Sequence, residues 1–177
     1  MHDTMDLGTY NRRADGKLDI RFERSYPRPV ETVWKALTEP ERLADWMGKS
    51  SVEPRVGGKF LTIQDSAAPM TGTVRVWEPP KVLEFSWSNK DAPDSVVRYE
   101  LMPDGAAGTR LVFTQMGVLP GRSALMLPGW QWLFDRLANA LEGKPGTLTG
   151  KSWSDWQGVY LPVLQREFPE VTLEGTA

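Results

Sequence analysis

The sequence predicts an α+β fold in which a curved antiparallel sheet wraps around one long helix near the C-terminal end. Three observations predict it. An alternating strand segment is followed by two short amphipathic helices, then by a succession of strand-like segments joined by tight turns, then by a long apolar stripe of helical period. Elements in that order close their apolar faces in few ways, and the simplest is a bent sheet gripping the helix.

The first element is a hairpin. Gly8–Arg12 and Lys17–Arg24 flank Ala14-Asp15-Gly16, and an Asp-Gly pair between strand-like runs signals a turn. In the second arm Leu18, Ile20 and Phe22 oppose Asp19, Arg21 and Glu23, so this strand has one dry side and one wet side. In the next stretch Val30, Val33, Trp34 and Leu37 fall at i, i+3, i+4 and i+7, one face of a short helix with Pro29 in its first turn. Thr38-Glu39-Pro40-Glu41 then spells a capping box, which ends this helix and starts a second one running to Trp46 and Met47. The two helices form a V that plugs one end of the sheet. Trp46 either covers the base of the sheet or forms part of a cavity wall.

Five strand-like segments follow, at Lys59–Gln64, Gly72–Glu78, Lys81–Trp87, Ser95–Met102 and Thr109–Met116, with a weaker one at Ser51–Pro54. Glu78-Pro79-Pro80-Lys81 and Pro103-Asp104-Gly105 are tight reversals, so these strands form a meander. Alternation places Leu83, Phe85, Trp87, Val97, Tyr99, Leu101, Leu111, Phe113 and Gln115 on the inner face, and Arg98 with Glu100 in a solvated outer ladder. Beyond Gly117–Gly121 the period changes to 3.6. Trp130, Leu133, Phe134, Leu137, Ala138 and Leu141 make the stripe of the long helix, which ends at Gly143. Ser123 is a candidate cap for it and Pro128-Gly129 a candidate interruption. Residues 144–149 read as a connector. In the tail, Ser152–Asp155 resembles a cap, and Trp153, Trp156, Tyr160, Leu161, Leu164 and Phe168 recur at helical spacing, with Pro162 expected to kink or split the helix. The organisation is thus a sheet-and-helix domain over 1–143 with an N-terminal hairpin extension, and a connector and helical tail over 144–177 packing on that domain across Trp132.

Composition narrows the function. With 177 residues the chain is one domain able to remove about 70% of its unfolded surface from water. Its 21 basic and 23 acidic residues leave a net charge of −2, so no broad positive field draws nucleic acid or anionic lipid. Zero cysteines exclude disulfides, thiol catalysis and thiolate metal sites. His2 is the sole histidine, which argues against histidine metal sites and histidine bases. No run of 18 apolar residues occurs, and the start Met-His-Asp-Thr-Met-Asp-Leu has neither the basic nor the apolar region of a signal peptide, so the expectation is cytoplasmic.

A resemblance extends this reading. Arg21-Phe-Glu-Arg24, Pro29–Pro40, Trp46, Val56-Gly-Gly58, Gly72 with Val74, Glu78-Pro-Pro80, Gly108-Thr-Arg-Leu111 and Gly129-Trp130 with Leu133 and Leu137 resemble the bacterial branch of the family named after the activator of the heat-shock protein 90 ATPase, over about residues 6–143. The resemblance implies the START-like helix-grip fold, shared by polyketide cyclases, lipid-transfer domains and pollen allergens. Members of the family carry histidine after the Gly-Trp pair where this chain has Gln131, which removes a histidine-dependent role at that position.

Chemistry-bearing motifs are scarce. Gly57-Gly58 precedes a strand and lacks Walker spacing, and no serine or threonine has a histidine or cysteine beside it to act as base. We therefore expect no catalytic residues, no metal and no cofactor, and a small hydrophobic or aromatic molecule held between sheet and helix by Trp46, Phe60, Trp87, Tyr99, Phe113, Gln115, Met126, Trp130 and Phe134. Met47, Met70, Met116 and Met126 would rim the opening or fill the core. Two further readings stand beside it. One is a cyclase or hydrolase using Tyr99 and a buried carboxylate on an aromatic or polyketide-like substrate. The other is a protein-binding role with a chaperone. A homodimer is compatible with the sequence.

Overall fold

The computed structural model describes residues 6–64, 68–89, 92–146 and 150–171. His2 and the 147–149 part of the connector lie outside them. An eight-stranded, wholly antiparallel sheet has the order β1-β2-β8-β7-β6-β5-β4-β3, with β1 at Thr9–Arg12, β2 at Leu18–Tyr26, β3 at Lys49–Val52, β4 at Lys59–Ile63, β5 at Met70–Glu78, β6 at Val82–Asn89, β7 at Ala92–Asp104 and β8 at Gly108–Val118. From β3 to β8 the sheet is a meander. The first long strand, β2, then pairs with the last, Phe22 lying opposite Phe113 and Arg24 opposite Leu111. Helices α1 (Val30–Thr38) and α2 (Pro40–Ala44) form the connection between β2 and β3.

The alternation resolves as expected. Leu18, Ile20, Phe22, Leu83, Phe85, Val97, Tyr99, Leu111 and Phe113 are all buried. On the outer face Arg98 bridges Glu84 at 2.8 Å and Glu100 at 2.6 Å, and Glu23 accepts from both Arg21 and Arg110. Such half-exposed pairs add little stability, and they keep the outer face wet.

Three local expectations are corrected. The Thr38 hydroxyl donates to the Trp34 carbonyl within α1 at 2.8 Å, so it is not free to cap α2, whose N-cap is Glu39 with no side-chain bond. Helix α3 starts at Pro120, behind Leu119, and runs unbroken to Leu141; Ser123 lies inside it and donates to the Pro120 carbonyl at 2.5 Å. Pro128 lies inside α3 on its buried face and does not end the helix. The tail is also one helix, α4 at Trp153–Glu167, opened by a complete capping box between Ser152 and Asp155. Pro162 does not split it, since Pro162 and Gly158 are both exposed and the carbonyl freed by the proline faces water.

Helix α3 lies on the inner face of the sheet and α4 packs against α3. Tyr160 donates to Gln131 Oε1 at 2.5 Å and accepts from the Gly8 backbone at 2.7 Å, while Trp156 donates to Asp135 at 3.0 Å. Tyr10 of β1 stacks obliquely on Phe168, with ring centroids 6.1 Å apart, and donates to Glu167. The tail therefore covers the Gln131–Asp135 face of α3. Trp132 stays half-buried, with the Arg136 guanidinium 4.7 Å above its ring.

Candidate functional site

The centre of the sheet–helix interface is solid aromatic packing. Phe113 contacts Trp130 at 4.3 Å, Phe134 at 5.1 Å and Tyr99 at 5.4 Å between ring centroids, and Phe60 stacks on Phe85 at 4.0 Å. A hollow running the length of the groove is therefore not what this sequence builds: eight large rings from β2, β4, β6, β7, β8 and α3 fill it. Space opens instead toward the ends, where the rings stop.

The larger opening, a half-open cleft of ≈ 580 Å³, lies between α3, the turn after α2, β6 and the start of α4. Trp46, Trp87, Trp130, Trp132 and Trp153 line it, five of the chain's eight tryptophans, together with Met47 and Met126. Each indole has an identifiable anchor. Trp46, just beyond α2, donates its buried N–H to the Ala36 carbonyl at 2.9 Å, and its own carbonyl accepts from Arg136 Nε at 2.9 Å, so α1 and α3 both hold it. Trp87 leans on Trp130 with centroids 5.2 Å apart. Trp153 opens α4 and its indole nitrogen lies over Gly129 of α3, where a methyl group would meet it in ordinary van der Waals contact. Trp46 thus both seals the end of the core and forms a wall of the cleft.

Behind this wall runs a buried polar chain. Trp130 Nε1 donates to Gln115 Oε1 at 2.8 Å, Gln115 Nε2 donates to Ser95 Oγ at 2.9 Å, and Ser95 donates to the Trp87 carbonyl at 3.3 Å. The Trp87 indole N–H and the Tyr99 hydroxyl have no partner among the described residues, although both are buried. Burial, and secondarily the neighbouring Tyr26, push the Tyr99 hydroxyl well above the usual tyrosine range. Trp87 also lines a small side cavity of ≈ 50 Å³ with Gln115, Ser95, Met70 and Met126. The cleft is lined by one charged side chain, Arg136, and by no carboxylate among the described residues. Nor do the described residues assemble three or more potential ligands for a metal ion.

The nine residues expected to line a cavity therefore divide. Trp46, Trp87, Met126 and Trp130 line the cleft, and Gln115 joins Trp87 and Met126 at the side cavity. Phe60, Tyr99 and Phe113 sit in the aromatic core away from every described opening, and Phe134 faces a different cavity on the far side of α3. Sequence reasoning missed Trp132 and Trp153 as cleft residues. Their signal was an outward-pointing tryptophan and an aromatic at the tail cap, but their juxtaposition depends on how α4 docks.

A bent sheet closed on one long helix, with an aromatic cleft at the mouth of the grip, is the helix-grip, START-like architecture. The family profile described as Activator of Hsp90 ATPase homolog 1-like protein matches residues 27–142, and the chain belongs to that family. Among solved structures, CalU16 from Micromonospora echinospora superposes with a TM-score of 0.72 at 24% identity, covering 92% of this chain and 99% of that one. DynU16, a protein of the dynemicin biosynthetic locus, has a TM-score of 0.66 at 31% identity, covering 72% of this chain and 48% of its own. PFC0360w, an HSP90 activator from Plasmodium falciparum, reaches 0.60 at 19% identity over 72% of this chain and 97% of that one. A comparison with curated protein sequences found no match. No helix among the described residues is long and apolar enough to cross a membrane.

Proposed function

We propose that the tryptophan-lined cleft binds a planar hydrophobic or aromatic molecule non-covalently. The observation that carries this reading is the convergence of five indoles and two methionine thioethers on a ≈ 580 Å³ cleft, within the volume range of small-molecule sites. Aromatic walls bind flat apolar faces through area burial and offset stacking. On this reading the Trp87 N–H, buried without a partner among the described residues, becomes the orienting donor when a ligand acceptor atom reaches it. DynU16, from a biosynthetic locus, has the same fold and supports a role with small organic molecules. The cyclase reading fits less well, because general acid–base chemistry needs a titratable group at the reacting atoms. The cleft lining contains no carboxylate among the described residues, and Tyr99 lies away from it. The chaperone reading rests on the family's name and on likeness to an activator at 19% identity, and that likeness supports the fold alone.

Titrating the protein with a panel of flavonoids, polyketide-like aromatics and lipids while following tryptophan emission tests the proposal. Saturable quenching by an aromatic member, lost in Trp130→Ala and weakened in Trp153→Ala, is expected. A flat response to the whole panel overturns it.

A further inference from the structure

A second cavity, of ≈ 360 Å³, opens on the opposite side of α3, between that helix, the end of β2 and α4. Its construction differs from the indole cleft. Alternation along β2 carries past Phe22 and puts Arg24 and Tyr26 on the dry side of the strand, so a guanidinium projects into the space between sheet and helix. Arg24 lies over the Phe22 ring at 5.3 Å and the Phe134 ring at 5.8 Å, and its Nη1 donates to the Glu23 carbonyl at 2.8 Å. Its Nη2 is buried without a hydrogen-bond partner among the described residues, and so is the hydroxyl of Tyr26, a residue only 4% exposed.

Across the cavity stands Asp135 of α3. One of its carboxylate oxygens accepts from the Trp156 indole at 3.0 Å, while the other is uncommitted among the described contacts. Arg24 and Asp135 sense each other electrostatically, yet no hydrogen bond or ion pair joins them. Both residues are half-buried, and the buried Nη2 of Arg24 and the uncommitted carboxylate oxygen of Asp135 face one space without pairing, so a bridging molecule would satisfy them together. Phe134, Ala138, Leu141 and Pro27 give the cavity its apolar lining, and Asp6, Arg28 and Glu142 add further charges to it, the Arg28 guanidinium already donating to the Leu141 and Pro27 carbonyls. The cavity lies partly on α4, outside the matched family residues 27–142, so this wall belongs to the chain's own tail.

We propose that this cavity is a binding site for a small amphoteric molecule of amino-acid size, its carboxylate on Arg24 and its ammonium on Asp135, with an apolar side chain against Phe134 and Leu141. A molecule with only one charge leaves the opposing protein charge unsatisfied. The site is separate from the indole cleft, and its failure or success says nothing about that one.

Calorimetric titration with three probes of matched shape tests it: L-phenylalanine with both charges, 3-phenylpropanoate with the carboxylate alone, and phenethylamine with the ammonium alone. Phenylalanine is expected to bind saturably, and each single-charge analogue about tenfold or more weaker, the loss for one hydrogen-bonded charge. Arg24→Met keeps the packing over Phe22 and Phe134, and is expected to weaken phenylalanine by about tenfold while leaving phenethylamine unchanged. Asp135→Asn should show the reverse preference, and Arg24→Gln, which also removes the cation, serves as the second variant if Arg24→Met unfolds. Perturbation of the Trp156 indole N–H resonance by phenylalanine places the probe. No binding by any probe, equal binding by all three, or an unchanged phenylalanine affinity in the folded Arg24 variant overturns the proposal.

Discussion

The Trp130–Gln115 hydrogen bond ties the wall of the indole cleft to the sheet, and its worth can be worked from geometry. Gln115 is 1% exposed and Trp130 2%, so water cannot replace either partner. Gln115→Leu strands the Trp130 N–H, and an orphaned buried donor costs about 1–3 kcal/mol; we take about 2. Trp130→Phe strands the Gln115 carbonyl oxygen for a similar cost, and the smaller ring leaves a gap adding about 1 kcal/mol, about 3 in all. The double variant strands neither of these groups and retains mainly the gap, about 1–2 kcal/mol. The pair should therefore be more stable than the sum of the singles by about 3 kcal/mol, near the top of the range for neighbouring residues. Urea unfolding of the four proteins, followed by far-ultraviolet circular dichroism with unchanged slopes, measures this. Additivity within about 0.5 kcal/mol would refute the reasoning, and would mean that the 2.8 Å contact contributes nothing beyond packing.

Removing residues 150–177 deletes the buried Trp156, Tyr160, Leu164 and Phe168, and should lower the melting temperature by about 10 °C or more. Thermal scans of the truncated chain check this, and an unchanged midpoint would show that α4 does not stabilise the domain. Burial first, against partial relief from the Trp156 N–H and Arg24, raises the Asp135 carboxyl above the ordinary range. Between the unfolded and folded values the native state holds the extra proton, so stability falls as pH rises through that window, and the penalty persists above it. Asp135→Asn should therefore gain melting temperature relative to the parent between about pH 3 and pH 7; a constant difference would contradict this. Gly8→Ala puts a methyl group onto the Phe22 ring, and should cost about 1–3 kcal/mol in urea unfolding, whereas an unaffected midpoint would show that the N-terminal segment can move aside.

What the sequence disclosed and what it hid follow a physical line. Strand faces were legible because a period of two is local: Leu83, Phe85 and Trp87 declare their side without reference to the rest of the chain. The same alternation extends two residues beyond Phe22 to Arg24, which the sequence analysis did not assign to a face, and this charge on an inner face was the available signal for the second cavity. Thr38 misled because one hydroxyl had two local uses, and the bond back to Trp34 won over the cap ahead. The positions of Phe60, Tyr99 and Phe113 were right as to face but not as to role. Whether an inward ring lines a void or closes it depends on the rings facing it, and that information is non-local. Gln131 shows the same limit. Its replacement of histidine was visible, but its bond to Tyr160, 29 residues on, belongs to the docking of α4.

That docking closes the chain on itself. Gly8 and Tyr10 are held by Tyr160, Glu167 and Phe168, so the first strand and the last helix behave as adjoining parts although they are far apart in sequence. A protease nick in the connector after Gly143 would then yield two fragments that stay associated. A circularly permuted gene opened at that connector, with the old ends joined by a flexible linker, should encode the same architecture.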